Sequence, residues 1–416
     1  MWGFIARRSL FVLMLVVAVL AWPARLLAQQ VGDCIRLKAT NPAGVPRHAR
    51  AENSFTGERF PDQSVAKVLE LAAAGKWLRV EVAPAQAWIS SAYSAGVVPC
   101  GGGVASPPAE IIVGAWNIEW LKNGKARGFN EMAGQIPERT DADYDTLASI
   151  ITGLDVKILM LEEIHADVVP DGDGALHTVS PELDRLVGKL GAGYKYIAGR
   201  TGNEQHLAVL YDERAVNLRW WCEGSITDEE VNGSDLFDRQ PLLAHFAVFS
   251  EGVEMNDLVV VALHLASGQN KTKNHDMAMS RVVNWIETQR QQNGCVPLGE
   301  RDILIGGDLN ASRFDGYKEH FFDDLEAGAW DVLADSDATY PSTRLAGIPP
   351  GTNVSKIDYL LASRGPGALA GAEIVQAEAT VHTDLVAQLG GGMAFRTRAS
   401  DHLPVTVRLR VVPDDD

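Results

Sequence analysis

The chain lacks an excess of positive charge. Its 37 Lys and Arg stand against 54 Asp and Glu, a formal net charge of -17 over 416 residues. A passive binder of nucleic acid or of an anionic membrane is usually basic, so composition argues against that class. It leaves room for an enzyme that uses divalent cations to bring a polyanion to an acidic site. Long apolar runs are also scarce. The single run, Leu10 to Trp22, follows Arg7 and Arg8 and precedes Ala28, a small residue suited to a cleavage site. Residues 1–28 read as a secretory signal, although Leu26 stands where a second small residue is preferred. The competing reading is an uncleaved anchor. No other stretch is long and apolar enough to span, so the mature chain is expected to be periplasmic or secreted, with no stable membrane span and as a monomer. The acid in Val31-Gly32-Asp33 argues against lipid attachment at Cys34. Cysteine is scarce too: four in an exported chain pair in three ways. Cys34 and Cys100 flank the first segment and Cys222 and Cys295 lie in the second, so the expected disulfides follow that division. Two reduced, buried thiols fit an oxidising compartment less well. There is no internal repeat of short fixed period.

The length exceeds what one core normally serves, and two domains are expected. Residues 30–100 read as short strands and turns: Val65 to Leu71, Lys76 to Val82 and Ala87 to Tyr93 are β-rich and partly alternating. Residues 101–109, beginning Gly101-Gly102-Gly103, are a linker by composition. From 110 to 412, strands alternate with helices. Ile111 to Trp116, Ile158 to Leu161, Leu207 to Tyr211, Leu242 to Val248, Leu258 to Leu265, Ile303 to Gly306, Ile357 to Ala362 and Val405 to Val411 read as strands. Tyr144 to Leu154 has helical spacing, with Leu147, Ile150, Ile151 and Leu154 on one face. Ser180-Pro181 opens a second helix with a cap residue and a proline at its first position. Met277 to Gln291 reads as a third.

Polar residues gather at the ends of these runs. In Ile303-Leu304-Ile305-Gly306-Gly307-Asp308-Leu309-Asn310 a buried strand ends on an acid and a carboxamide. If strand geometry continues, the two point to one side. One anionic and one neutral oxygen together suit a hard cation or a phosphoryl group. Asn117 follows the first strand, Glu163 the second, and His264 ends a long apolar run. Asp358 opens another strand, and Ser400-Asp401-His402 precedes the last. Any one of these reads equally as a turn former or surface group. Histidines, acids and carboxamides converging on one sheet edge make a metal–phosphate site.

The ordered set Trp-Asn-Ile (116–118), Leu-Glu-Glu-Ile (161–164), Arg-Gln-Pro (239–241), His-Leu-Ala-Ser (264–267), Gly-Asp-Leu-Asn (307–310), Ile-Asp-Tyr-Leu (357–360) and Ser-Asp-His (400–402) resembles the endonuclease/exonuclease/phosphatase superfamily. The resemblance implies a four-layer αββα sandwich, deoxyribonuclease-like, of two mostly antiparallel sheets; the strand pattern alone does not distinguish this from a doubly wound sheet. It implies Mg²⁺, with Mn²⁺ or Ca²⁺ as alternatives, held by Glu163 with Asn117 and Asp401 nearby. It implies that Asp308 and Asn310 orient the attacking water and the phosphoryl oxygen, and that His402 with Asp358 forms an acid–histidine pair. The stretch from Ala198 to Asp212 is similar to that of pancreatic-type deoxyribonuclease, implying Glu204 as the carboxylate partner of a phosphate-contacting His264. Arg239 matches a phosphate-binding arginine, a role suited to the guanidinium fork; its alternative is an ion pair with Asp235 or Asp238. The chain departs from the family at Glu162, where glutamine is usual, which places an extra charge near the metal. Lys122, Lys125, Arg127, Arg139, Lys271 and Lys273 are either further phosphate contacts or solvated loop charges. Residues 30–100, through the stretches Lys76 to Val82 and Ala87 to Tyr93, resemble the bacterial SH3-like domain, with Ala87 in place of its usual glycine; that implies either a cell-wall-peptide binder or a barrel that merely packs.

The functions implied are a Mg²⁺-dependent phosphodiesterase cutting nucleic acid, DNA endonucleolytically in the first instance; a phosphatase or phospholipase of the same fold acting on sphingomyelin or inositol phosphates; or a wall-binding protein with an inactive catalytic domain. The intact matched positions oppose the last. The absence of an apolar, aromatic hairpin for membrane entry opposes the second.

Overall fold

The computed structural model describes residues 34–37, 45–48, 55–60, 65–72, 76–82, 85–98, 110–121, 139–170, 176–202, 205–226, 236–250, 253–267, 272–314, 320–334, 337, 339–345, 355–365, 368–369, 373–375 and 378–414. The N-terminal apolar run, the expected linker 101–109, Cys100 and its expected bond to Cys34, and Glu204 lie outside the described residues. The chain divides into two compact units between Ser106 and Pro107.

In the first unit β1 (Cys34–Leu37), β2 (Val45–His48), β3 (Phe55–Phe60), β4 (Val65–Ala72), β5 (Trp77–Val82), β6 (Ala85–Ser90) and β7 (Ser94–Val98) form one sheet in the order β3-β2-β6-β5-β4-β1-β7. The period-two pattern decides its faces. Leu78 and Val80 of β5 and Ala87 and Ile89 of β6 are buried with Leu37 and Val68. Trp77 and Trp88 occupy the alternate positions, with His48 edge-on to Trp77 at 5.0 Å.

The second unit opens with β8 (Glu110–Leu121), α1 (Asp141–Gly153) and β9 (Val156–Ile164). β8 and β9 are parallel neighbours, so the chain needs a crossover, and α1 supplies it. Thr140 and Asp143 form a capping box that starts α1 ahead of the apolar spacing, which is why the helix opens at Asp141 rather than Tyr144. A ribbon of β10 (Asp167–Pro170) and β11 (Leu176–Val179) follows, then α2 (Pro181–Leu190), capped by Ser180, β12 (Tyr194–Ala198) and β13 (His206–Asp212). The strands β14 (Val216–Glu223), β15 (Leu242–Ser250) and β16 (Val253–Ala262) run as an antiparallel meander. A second crossover, α3 (Thr272–Gln291), leads to β17 (Ile303–Asp308), parallel to β16. The chain closes with α4 (Phe321–Ala327), β18 (Trp330–Val332), β19 (Asp358–Ser363), β20 (Thr380–Val381), α5 (Asp384–Gln388), α6 (Gly392–Arg398) and β21 (Val405–Arg410).

These strands make two six-stranded sheets, β12-β13-β9-β8-β21-β20 and β14-β15-β16-β17-β19-β18. Each has one parallel pair and is otherwise antiparallel. β8 and β9 face β16, β17 and β19 across a single apolar core. α1, α2 and α6 belong to the first sheet's side and α3 and α4 to the second's. This is a four-layer αββα sandwich, as the motifs implied, and not a doubly wound sheet. Cys222 and Cys295 are disulfide-bonded, with Cα atoms 6.1 Å apart, as expected from their sharing the second unit. Among the described residues no helix is long and apolar enough to cross a membrane.

Candidate active site

The two parallel pairs position the polar cluster. Asn117 and Glu163 lie near the carboxyl ends of β8 and β9, His264 lies two residues beyond β16, and β17 ends at Asp308. Parallel neighbours have their carboxyl ends on the same side, where open α/β sheets place their sites. Two antiparallel strands complete the group: β19 begins at Asp358, paired with Asp308, and β21 begins three residues after His402, the last of Ser400-Asp401-His402. Six segments far apart in sequence thereby meet between the ends of the two sheets.

Asn117 stands at the centre. Its Nδ2 donates to Glu163 Oε1 at 3.2 Å and Asp308 Oδ2 at 3.1 Å, linking one sheet to the other. Its Oδ1 accepts from the Glu119 amide at 3.0 Å. Glu163 Oε2 accepts from the Trp120 amide at 3.2 Å. The backbone bends sharply to allow this. Glu119, Trp120, Glu163 and Asn310 all have positive φ, from 47° to 60°, four of the six such non-glycine residues among those described. L-residues adopt that region at a cost, and such positions concentrate where function requires them.

His402 is anchored from behind. Its carbonyl accepts from Trp116 Nε1 at 2.8 Å, and Nδ1 donates to the two Asp358 oxygens at 3.0 and 2.9 Å. Asp358 is itself fixed: its amide donates to Thr343 Oγ1 and its carbonyl accepts from the Tyr340 hydroxyl. Burial works to lower the His402 pKa, but Asp358, Asp401 and Asp308 together hold it well above the ordinary value, so this ring is an imidazolium. His264 differs. Burial, then Arg239, pushes its pKa well below the ordinary value and keeps the ring neutral. Asp308 Oδ2 lies between them, 3.7 Å from His264 Nε2 and 3.7 Å from His402 Nε2. Burial and Asp358 raise Asp308 to about 6, and burial and Asp401 raise Glu163 to about 7.

Asn310 differs from the simple strand expectation. β17 ends at Asp308, and the left-handed turn at Asn310 spends its Nδ2 on the Leu265 carbonyl at 2.9 Å while its amide donates to Asp308 Oδ1 at 2.8 Å. The two residues are therefore joined by a turn, not aligned along one face. Arg239 is buried and bonds Gln205 Oε1 at 2.7 Å and the His264 carbonyl at 3.5 Å. Arg239 makes no ion pair with Asp238, and Asp235, the other alternative, lies outside the described residues. Asp401 forms a pair with Arg344 at 3.3 Å, and its amide donates to Glu119 Oε2 at 3.0 Å.

Two residues escaped the motif reading. Glu119, one position beyond the Trp-Asn-Ile motif, forms a buried ion pair with Arg396 at 2.7 Å and ties β8 to the Asp401 segment. Arg344 lies beside Asp401 with its side chain 45% exposed. Arg139, grouped above with phosphate-contact or solvated loop charges, is buried and donates to the carbonyls of Ile118, Trp120 and Ala399. Neither reading holds for Arg139, because its donors satisfy the strained end of β8.

The oxygen-rich set fits a hard divalent cation. The Asp401 charge is the next influence after burial raising Glu163, and a cation beside Glu163 offsets it. Glu162, fully buried beside them, has no hydrogen-bond partner for either carboxylate oxygen. His402 commits Nδ1 to Asp358, and Asp308, Asp358 and His402 place ligand-type atoms within 4.8 Å of one another.

The chain matches no protein-family model and no curated protein sequence. Among solved structures it is similar to a humanized D. rerio TDP2, at 12% identity and TM-score 0.45, over 72% of this chain and 98% of that one. It is similar to an endonuclease/exonuclease/phosphatase family protein from Bacteroides thetaiotaomicron, at 17% identity and TM-score 0.44, over 73% and 98%. It is also similar to a Bacteroides thetaiotaomicron mannosyl-6-phosphatase, at 16% identity and TM-score 0.43, over 72% and 99%. The chemistry of the site rests on its own geometry.

Proposed function

We propose that the second unit is a divalent-metal-dependent phosphoesterase acting on phosphodiesters, with nucleic acid as its first substrate class. The observation that supports it most is the placement of Asp308 Oδ2 at 3.7 Å from both His264 Nε2 and His402 Nε2, with Glu163 on the other side of Asn117. Glu163, Asn117 and Asp401 would hold the ion, which when bound polarises the phosphoryl group as a Lewis acid. Asp308, ionised near neutrality, accepts a proton from a water and aligns it for attack. His402 presents Nε2–H to a phosphoryl oxygen and stabilises charge as the five-coordinate state forms, while Asp358 fixes the ring. His264, neutral, offers a second contact on the same oxygen face. Arg239 and Arg344 supply guanidinium donors on two sides of an otherwise acidic cleft.

Export to the periplasm or exterior is part of the proposal and is supported by the basic-then-apolar N-terminus. The seven-stranded N-terminal sheet is proposed as an SH3-like docking module for wall peptide, on the Trp77 and Trp88 pattern. Incubating the mature chain with supercoiled plasmid and Mg²⁺, beside an EDTA control and His402→Ala, tests the central reading. Metal-dependent nicking abolished by the substitution is expected. Intact plasmid with cleavage of a generic phosphomonoester would replace nuclease by phosphatase, and no hydrolysis of any phosphoester would end the proposal.

A further inference from the structure

The second sheet carries another cluster with metal-ligand chemistry, away from the site described above. His245 on β15, Asp257 on β16 and Glu300 in the segment entering β17 place one ligand-type atom each within 4.8 Å of one another. They come from three separate pieces of chain. Their part of the sheet lies at the opening end of β17, with roughly 17 Å of strand between Ile303 and Asp308 at about 3.3 Å per residue. The active-site carboxylates therefore take no part in it.

The three side chains converge on one ring nitrogen. His245 is 3% exposed, and its ring is held edge-on against Trp220 at 4.3 Å. Nδ1 makes no hydrogen bond, so Nε2 carries all the polar contacts of the ring: 2.6 Å to Asp257 Oδ2 and 3.8 Å to Glu300 Oε2. Glu300 is buried and fixed through its other oxygen, which accepts from the Asp302 amide at 2.7 Å. The loop that carries it is pinned on both sides. The Cys222–Cys295 disulfide and the Trp220 indole bond to the Cys295 carbonyl hold its start, and the Val259 amide bond to the Asp302 carbonyl holds its end.

Charge then sets a condition. Two carboxylates converge on one imidazole nitrogen, Asp257 Oδ2 at 2.6 Å and Glu300 Oε2 at 3.8 Å from His245 Nε2. A divalent cation bound to Nε2 and to one oxygen of each acid matches the charge of the two carboxylates. The Asp257 side chain is 25% exposed, which leaves the cluster open to solvent on that side. Three protein ligands with one open position suit a tetrahedral ion. A single imidazole among carboxylates selects Zn²⁺ or Mn²⁺ over Mg²⁺ and Ca²⁺, which prefer all-oxygen sets. We propose that His245, Asp257 and Glu300 form a structural Zn²⁺/Mn²⁺ site that locks β15 and β16 to the segment leading into β17.

The test uses the full chain stripped with chelator and dialysed against ZnCl₂ or MnCl₂, with bound metal counted per chain by elemental analysis. Asp257→Asn and Glu300→Gln should each bind one equivalent fewer than wild type. The Zn²⁺-induced rise in melting temperature should persist in Glu163→Gln and vanish in Asp257→Asn. Asp257→Asn, altered at the mouth of the cluster, should still hydrolyse phosphodiester, so a failed phosphoesterase reading and a failed metal site give different patterns. Equal metal content in wild type and both variants overturns the proposal, as does stabilisation by Ca²⁺ with none by Zn²⁺ or Mn²⁺. Should Glu300→Gln fail to fold, the count on Asp257→Asn decides alone.

Discussion

Two protonation states within one cleft define the residue scale. His402 is held cationic by Asp358 and its neighbouring acids, and His264 is held neutral by burial and Arg239. His402→Ala should lower kcat on a phosphodiester by about 10²–10⁴, the usual span for a lost acid–base or oxyanion partner. Asp358→Asn should cost nearly as much, since the ring loses the group that orients and charges it. A double variant no worse than either single would show that the two act as one unit. The same residues set how a cation binds. Glu163, among the ligands of the ion, must lose a proton to receive it, and its value of about 7 places that loss in the neutral range. It is an acid raised in the folded state, so below pH 5 it is neutral and binds weakly. Affinity for Mn²⁺ should climb from pH 5 through pH 7 and level off above about pH 8. Titration calorimetry across that range should show a flatter profile in Glu163→Gln; an identical profile would remove Glu163 from the ligand set.

At the scale of elements, the site depends on how closely β17 approaches its neighbours. Gly307 has φ of 144°, and a side chain there would lie 1.9 Å from the Leu263 carbonyl oxygen and 2.9 Å from Glu162 Oε1. The carbonyl is backbone and cannot move aside. Gly307→Ala should therefore destabilise the domain by about 2–4 kcal/mol, combining φ strain with steric conflict, and should displace Asp308. A denaturant midpoint unchanged from wild type would show that β17 can shift without loss. This element also shows what was legible in sequence. Ile303-Leu304-Ile305-Gly306-Gly307-Asp308 reads as a buried strand, and it is one. Period alone could not say that Asn310 turns left-handed, because a local hydrogen bond from its amide to Asp308 decides that. The helical spacing from Tyr144 onward was visible, whereas the short edge strands β18 and β20 were not. Pairing in the sheet forms those strands, and their own residues give little sign of it. Arg139 and Arg344 show the same limit at the site. A loop arginine in a sequence does not reveal whether it satisfies buried carbonyls, as Arg139 does, or faces the cleft, as Arg344 does.

At the scale of the molecule, the formal charge of -17 opposes the approach of a polyanion, while Arg239, Arg344 and the imidazolium of His402 attract it once it is close. The two influences act over different distances. Repulsion by the whole surface is felt across many ångströms and is screened beyond a Debye length of about 10 Å at 0.1 M salt. The contacts within the cleft are short and partly buried, so the same salt weakens them less. Raising NaCl from about 10 to about 100 mM at fixed Mg²⁺ should therefore increase kcat/KM on a long nucleic acid. A small phosphodiester with a single charge, which hardly feels the distant field, should respond much less. A basic docking surface would reverse the first result, because counterion release makes affinity fall steeply as salt rises. If kcat/KM on the long substrate drops log-linearly while the small one is unaffected, a cationic patch outside the cleft governs encounter. In that case the lysines and arginines between residues 122 and 138 are the first to replace.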